Sequence, residues 1–160
     1  MKNELRVLHV ITRLIVGGAQ ENTVASVLGL RGRPNLSARL ICGPSRGSEG
    51  SLESEFAAMP ESLTIIPELI RPIHPWKDIL AMRRLRRMFV QARPDIVHTH
   101  SGKAGILGRI AARKAGVPII VHTIHGPSFG PFQGWLPNRL FRAAERYAGR
   151  CTTHFVSVAE

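Results

Sequence analysis

Short apolar runs alternate along this chain with segments whose apolar residues recur at helical spacing. The runs are rich in β-branched side chains and nearly continuous, which is typical of strands buried on both faces. They predict strands at 5–11, 38–42, 63–66, 95–99, 119–124 and 152–158. Helices are predicted between them at 19–30, 52–59, 76–89, 104–115 and 136–148.

This alternation predicts an α/β fold. Right-handed crossovers would join the strands into a Rossmann-like, doubly wound, mainly parallel sheet of about six strands with helices on both faces. If the strands take the common order 3-2-1-4-5-6, a ligand binds beyond the carboxyl ends of the first and fourth strands. Two loops are thereby selected, 12–19 and 100–105.

The composition is that of an ordinary globular domain. Of the 160 residues 44% are apolar and 21% charged, which excludes disordered and collagen-like chains. We find no apolar run near the roughly 18 residues that cross a bilayer, and expect no secretory signal. Cys42 and Cys151 lie in strand-like segments, so we expect two buried, reduced thiols of a cytoplasmic protein.

Positive charge is concentrated in the second half of the chain. The first 80 residues carry nine Lys/Arg and eight Asp/Glu, whereas the last 80 carry thirteen Lys/Arg and three Asp/Glu. The net charge of the whole sequence is +11. Such asymmetry favours an anionic partner: a phosphorylated ligand, a membrane surface or nucleic acid. The candidates for membrane contact are four arginines on the helix at 76–89, which equally fit a solvated face: Arg83, Arg84, Arg86 and Arg87.

Two glycines open the helix after the first strand. At Gly17-Gly18-Ala19 the missing side chains let backbone approach a ligand, and the free N–H groups of a helix start favour an anion. The segment is neither a G-x-G-x-x-G fingerprint nor a P-loop. A plain strand-to-helix turn is the alternative.

The fourth strand ends in His98-Thr99-His100-Ser101, followed by Gly102-Lys103. Period-two alternation places both histidines on one face of the strand. Lys103 falls in the first turn of the next helix, where a cation opposes the helix dipole and a bound anion would relieve the conflict. The alternative is that Ser101 caps the helix and Lys103 is solvated.

Another histidine, His125, lies where the fifth strand gives way to Gly126 and a Gly-rich aromatic loop. A neutral imidazole there could orient a hydroxyl, and a protonated one could offset phosphate charge; a structural hydrogen bond is the alternative. His98 and His100 with His122 or His125 could supply three zinc ligands. Neither histidine segment holds a carboxylate or an H-E-x-x-H helix, so we expect no metal.

Three segments together point to a known family. They are His9-Val10-Ile11 through Gly17-Gly18-Ala19-Gln20-Glu21, then Arg93-Pro94-Asp95-Ile96-Val97-His98-Thr99-His100, and its continuation through Gly102-Lys103-Ala104-Gly105 to His122-Thr123-Ile124-His125-Gly126. They resemble the amino-terminal domain of retaining glycosyltransferases of family four, of the bacterial cell-surface polysaccharide type. The resemblance implies that the chain is one half of a GT-B fold.

The resemblance also implies roles for individual residues. Such enzymes move a sugar from a nucleotide donor, usually a UDP-sugar, to an acceptor that can be lipid-linked, with retention and without metal or other cofactor. Gly17, Gly18 and Ala19 would lie beside the donor diphosphate and sugar, and His125 at the reaction centre. His100, Ser101, Lys103 and Gly126 would line the acceptor cleft.

Residues 1–160 would then be the acceptor-side domain, and the nucleotide-binding domain would lie outside this sequence. Ala159 stands where the family usually has a serine, which weakens any role for that position. We expect the 160 residues alone to be inactive, and the protein to be cytoplasmic, with peripheral contact on the inner face of the cell membrane as a further expectation. The alternatives are a sugar-nucleotide 2-epimerase of the same architecture and a non-enzymatic polyanion-binding domain; no nucleic-acid motif is present.

Overall fold

A computed structural model of the protein describes residues 4–45, 48–100, 102–126 and 134–158. Its strands are β1 (Leu5–Val10), β2 (Leu36–Cys42), β3 (Leu63–Ile65), β4 (Ile96–His100), β5 (Ile119–Ile124) and β6 (His154–Ser157). They form one sheet in the order β3-β2-β1-β4-β5-β6, and each neighbouring pair is parallel. The predicted strand order is confirmed, and β1 lies beside β4 at the switch point.

The helices are α1 (Gly18–Arg31), α2 (Pro75–Ala92), α3 (Gly102–Lys114) and α4 (Trp135–Gly149). The predicted helix at 52–59 is wrong: the segment contains one 3₁₀ turn, Glu53–Phe56, and a second turn, Pro60–Ser62, follows it. Only Phe56 anchors the first turn in the core, and Pro60 interrupts a helical hydrogen-bond ladder. None of the helices within the described ranges is both long and apolar enough to span a bilayer.

The two cysteines differ in position. Cys42 is buried in β2 as predicted, whereas Cys151 is partly exposed and precedes β6 in the turn after α4. The prediction of a buried thiol within a strand is therefore wrong for Cys151. Both thiols are free.

Helices cover both faces of the sheet, as the apolar strands predict. On one face Val10, Ile41 and Val97 join a cluster with Leu85 and Phe89 of α2 and the alanines of α3. On the other face α1 packs onto β2 through a second cluster: Val24, Val27, Ala38, Leu40 and Cys42. A buried side chain of this size contributes about 1.5–3 kcal/mol, so both clusters stabilise the sheet.

Helix α3 lies unusually close to the sheet because glycines face it. A Cβ on Gly105 would lie 2.5 Å from Cε1 of His122, and one on Gly108 would lie 2.8 Å from Cγ2 of Thr99. Real Cβ contacts of this length do not occur, so any side chain at these positions would push the helix outward. The close contact fixes the start of α3 relative to the ends of β4 and β5.

A buried arginine joins α3 to α4. The Arg109 side chain is fully buried, and its Nε donates to the carbonyl of Gly105 at 2.8 Å. Its Nη2 lies 2.5 Å from Oε2 of Glu145, and its Nη1 lies 3.5 Å from Oγ1 of Thr152. Because a buried guanidinium stays charged, it needs these partners, and they set where α4 and the turn before β6 lie.

Candidate functional site

Four histidines gather where the central strands end. The register pairs His9 of β1 with His98 of β4, and alternation places His100 on the same face of the sheet. His125 follows β5, which is the next strand along the sheet. The predicted convergence of the turns after the fourth and fifth strands is therefore present in the fold.

Three of these rings form a continuous hydrogen-bonded series, which we call the imidazole chain. Nδ1 of His9 lies 3.0 Å from Nε2 of His100, and Nδ1 of His100 lies 3.1 Å from Nε2 of His125. His98 belongs to a separate contact, because its Nε2 lies 2.7 Å from Oγ1 of Thr123. The chain leads from the fully buried His9 to the partly exposed His125.

These imidazoles are neutral at pH 7 because they are buried. Burial, reinforced by the neighbouring His98, lowers the pKa of His9 to about 3, and burial with the charge of His125 lowers the pKa of His98 to about 4. The pKa of His100 is also lowered by burial and by the surrounding histidines, and that of His125 is lowered by burial. A neutral imidazole offers one N–H donor and one acceptor nitrogen, so the site can both give and take hydrogen bonds.

The glycine loop lies at the same edge of the sheet, after β1. Gly17 caps α1, and Gly18 is its first residue, with no side-chain cap. A Cβ on Gly18 would meet no atom within 4 Å, and one on Gly17 would meet only the flexible end of Gln20. No packing among the described residues requires glycine at either position, and the space in front of the loop is open to a ligand.

The loop after β1 is tied to the start of α3. Oγ1 of Thr12 accepts a hydrogen bond from the backbone N–H of Ala104 at 3.1 Å, and both atoms are buried. This bond holds the glycine-loop side and the β4–α3 side of the site together. Ala19 takes part in α1 through its carbonyl, which accepts from Oγ1 of Thr23 at 2.7 Å.

Lys103 has partners that the sequence does not reveal. Its ammonium group forms an ion pair with Asp78 of α2 and donates to the carbonyl of Pro72. The carboxylate of Asp78 therefore relieves the conflict with the helix dipole that we expected a bound anion to relieve. The role of Lys103 in lining an acceptor cleft stays a prediction.

Two further predicted positions surround His125. Gly126 has φ +156°, a backbone conformation that L side chains rarely adopt, and a Cβ there would meet no atom within 4 Å. Ser101, the predicted helix cap and cleft residue, lies outside the described residues, as do residues 127–133 of the Gly-rich loop and Ala159.

The four arginines predicted to contact a membrane are all exposed on α2. Arg84 forms an ion pair with Glu68 at 3.3 Å, and Nε of Arg86 donates to the carbonyl of Lys114 at 3.2 Å. Arg83 and Arg87 also face outward, while Ala81, Leu85 and Phe89 of the same helix are buried in the core. Their contact with lipid stays a prediction.

A metal centre fits the histidines less well than mutual hydrogen bonding does. Ligand atoms of His9, His98 and His100 lie within 4.8 Å of one another. Tetrahedral zinc, with Zn–N of about 2.0–2.1 Å, needs nitrogens about 3.4 Å apart, and binding would break the imidazole chain. His122, one of the two alternatives for a third ligand beside His98 and His100, lies on the opposite face of the sheet, where it contacts Thr99 at 2.9 Å and packs against α3.

Sequence reasoning missed His9 and Thr123 as members of the site. His9 interrupts an otherwise apolar strand, and that strand is the one expected beside β4. A polar residue that faces inward from a central strand needs a partner, so the register of β1 and β4 was the signal available.

Comparison with known proteins places the chain in a family. The glycosyl transferase 4-like domain family matches residues 17–160. The chain belongs to this family. It is 32% identical over 154 residues to the Escherichia coli UDP-Gal:alpha-D-GlcNAc-diphosphoundecaprenol alpha-1,3-galactosyltransferase, covering 96% of this chain and 38% of that protein.

A second relative of this glycosyl transferase 4-like domain is the UDP-N-acetylglucosamine–N-acetylmuramyl-(pentapeptide) pyrophosphoryl-undecaprenol N-acetylglucosamine transferase of a Nocardioides species. It is 30% identical over 121 residues, covering 71% of this chain and 30% of the relative. The chain thus spans less than two fifths of the length of either relative.

Solved structures share the fold. MurG from Acinetobacter baumannii superposes with a TM-score of 0.62 at 14% identity, covering 98% of this chain and 42% of that chain. A putative UDP-N-acetylglucosamine 2-epimerase from Listeria monocytogenes superposes with a TM-score of 0.68 at 13% identity. The match covers 96% of this chain and 39% of that chain. At these identities the likeness concerns the Rossmann-like half of a GT-B fold, which both kinds of enzyme share.

Proposed function

We propose that this glycosyl transferase 4-like domain is the acceptor-side part of a retaining glycosyltransferase. The whole enzyme would move a sugar from a UDP-sugar to a sugar carried on undecaprenyl diphosphate, in cell-envelope polysaccharide synthesis. The observation that carries the proposal is the imidazole chain, which ends in His125 at the edge of the sheet where the glycine loop also lies. The two relatives named above, both transferases with lipid-linked acceptors, support the substrate class.

The glycine loop, Gly17 to Ala19, would bind the diphosphate as it leaves the sugar. Transfer places negative charge on the leaving group, and preorganised N–H groups at a helix start stabilise such charge as it develops. Gly17, Gly18 and Ala19 would provide those N–H groups without a side chain between them and the phosphates. Helix N–H groups and basic side chains would thereby act in place of a metal ion.

His125 would hold the reacting sugar. Its ring is partly exposed, while its Nε2 is tied to His100, so the remaining face and Nδ1 are available to a sugar hydroxyl. Positioning of this kind accelerates transfer because it keeps the anomeric carbon aligned between donor and acceptor. Ser101, Lys103 and Gly126 would line the acceptor side, and His100, which is buried, would act there through its hydrogen bond to His125.

The nucleotide would bind to a second domain. Because the relatives are more than twice as long as this chain, we propose that residues 1–160 form the acceptor-side domain and that they transfer no sugar alone. The whole enzyme would work in the cytoplasm, at the inner face of the membrane that carries its acceptor.

An assay with and without acceptor tests the proposal. The full-length protein is incubated with UDP-galactose or UDP-N-acetylglucosamine in the presence of EDTA, with or without GlcNAc-diphosphoundecaprenol. We expect sugar on the lipid only when acceptor is present, and undiminished transfer in EDTA. Conversion of the UDP-sugar without acceptor would instead establish a 2-epimerase, and loss of transfer in EDTA would contradict the metal-free mechanism.

Gly18→Ala should lower sugar transfer by about tenfold or more without unfolding the domain. Within the described residues a Cβ there meets nothing, so any loss reflects a ligand that approaches the backbone. Gly29→Ala is the matched control, because Gly29 is exposed in the interior of the same helix. It should raise stability by about 0.5–1 kcal/mol and leave transfer unchanged. Transfer by Gly18→Ala at the wild-type rate would remove the glycine loop from the donor site.

Helix α4 joins α2 as a candidate for lipid contact. Its apolar residues Trp135, Leu136 and Leu140 are exposed, and arginines lie between and after them. A basic helix with an apolar face exposed to solvent fits the headgroup region of an anionic bilayer.

Binding to lipid vesicles distinguishes the contributions of α4 and α2 to membrane contact. Leu136→Ser with Leu140→Ser should weaken binding to phosphatidylglycerol vesicles at low and at high salt, because apolar burial is not screened. Arg83→Gln with Arg87→Gln should weaken it by about 30-fold at low salt only, since each basic residue near such a surface contributes about 1 kcal/mol. Equal binding to uncharged phosphatidylcholine vesicles would contradict an electrostatic contact.

A further inference from the structure

The imidazole chain has a direction that its hydrogen bonds alone do not fix. Each neutral ring carries one N–H and one acceptor nitrogen, and each of the two ring-to-ring contacts needs one N–H. The N–H groups can therefore all point toward His125 or all point toward His9. The two arrangements differ in which nitrogen of His125 is protonated.

The buried end of the chain selects one direction. Nε2 of His9 is buried and has no hydrogen-bond partner among the described residues. If the chain pointed toward His9, that nitrogen would carry an unpaired N–H, and buried orphan N–H groups are rare in proteins. In the opposite direction Nε2 of His9 carries only a lone pair, and each N–H along the chain has an acceptor.

We propose that His9 and His100 are positioning residues that hold His125 in its Nδ1–H tautomer. His9 Nδ1–H donates to Nε2 of His100, and His100 Nδ1–H donates to Nε2 of His125. His125 then presents an N–H donor, suited to a sugar hydroxyl or phosphate oxygen. The choice of ligand rests on the proposed function, whereas the tautomer does not.

Packing keeps the central ring of the chain in place. The rings of His9 and His100 lie edge to edge and nearly coplanar, with centroids 5.3 Å apart and planes 12° from parallel, as their hydrogen bond requires. The ring of His98 lies beside both, with its centroid 4.9 Å from that of His9 and 4.2 Å from that of His100. The three rings thus pack as one compact group, in which the orientation of His100 directs its Nδ1 at His125.

This arrangement limits what His125 can do chemically. Its Nε2 lone pair accepts a hydrogen bond from His100, and its Nδ1 already carries a proton. His125 therefore has no free lone pair with which to take a proton from an acceptor hydroxyl. It acts as a hydrogen-bond donor and not as a general base.

Imidazole nitrogen NMR of the 160-residue chain tests the tautomer directly. With ¹⁵N-labelled histidine at pH 7, long-range ¹H–¹⁵N spectra show which ring nitrogen is protonated. We expect His9, His100 and His125 all to carry the proton on Nδ1, with at least a roughly tenfold excess of that form at His125. A majority of the Nε2–H form at His125 would overturn the proposal, and this needs no variant.

Two variants test the dependence on His100. His100→Phe removes the donor to His125, so His125 should shift toward the Nε2–H form that histidine side chains favour in water. His154→Gln is the control, because His154 is an exposed histidine on β6 and lies outside the imidazole chain. Its His125 spectrum should stay that of the wild type. An unchanged His125 tautomer in folded His100→Phe would show that His100 does not set it.

The NMR result is independent of the proposed function. In the full-length enzyme, His100→Phe should lower kcat at least about tenfold with KM little changed, because substrate contacts remain. If the wild-type tautomer is Nδ1–H but the full-length protein transfers no sugar, the positioning role of His100 stands and the proposed transferase fails. If the full-length protein transfers sugar but His125 carries its proton on Nε2, the proposed transferase stands and the positioning role of His100 fails.

Discussion

Replacing His125 with alanine is expected to lower sugar transfer by the full-length enzyme by about 10³-fold. The estimate is what one well-positioned group in an active site commonly contributes. The loss should fall mainly on kcat, because His125 would align the reacting sugar and other groups would bind the nucleotide. Steady-state rates with a UDP-sugar and a lipid-linked acceptor measure it.

Folding must be preserved for this result to be informative. His125 is partly exposed at the end of β5, so its truncation should leave the melting temperature nearly unchanged. His154→Ala is the matched control, since His154 is an exposed histidine on the neighbouring β6. That variant should transfer sugar normally. A His125→Ala enzyme within tenfold of the wild-type rate would exclude His125 from the reaction centre.

Mild acid is expected to unfold the domain. Burial lowers the pKa of His9 and of His122 to about 3, and that of His98 to about 4, whereas the unfolded chain titrates near the ordinary value of 6.5. The folded state therefore binds fewer protons than the unfolded state between these values. Stability is complete above pH 6.5 and falls as the pH drops below it, by about 1.4 kcal/mol per pH unit for each such histidine.

Urea unfolding at pH 8 and at pH 5 measures this loss. Several histidines act together, and a typical domain has only about 5–15 kcal/mol of stability, so the midpoint should fall strongly at pH 5. His9→Phe should reduce the slope of stability against pH by about one proton, whatever its effect on stability at pH 8. An equal midpoint at both pH values would mean that these rings are not buried as neutral groups.

The sheet was predictable because its strands are apolar on both faces. Residues such as Val7, Leu8 and Val97 leave no solvent-facing side, which requires helices above and below a parallel sheet. The common strand order then predicts His100 and His125 at the same edge of the sheet, where the structure has them in contact. The roles of these residues in catalysis stay predictions.

The partners of the site residues could not be predicted in this way. Lys103 pairs with Asp78, and Arg109 with Glu145, across 25 and 36 positions of sequence, and local patterns carry no signal for such contacts. His9 was overlooked because a single polar residue in an apolar strand resembles ordinary variation. Its place in the site follows only from the register of β1 and β4, which pairs His9 with His98.

The glycines of α3 have a consequence for redesign of the proposed acceptor pocket. Because Gly105 and Gly108 let this helix rest almost directly on β4 and β5, larger residues there would displace it as a rigid body. The displaced helix would carry with it the backbone N–H of Ala104, which bonds to Thr12 across the pocket. Libraries that aim at new acceptors should therefore vary the rim of the pocket and leave the spacing between helix and sheet untouched.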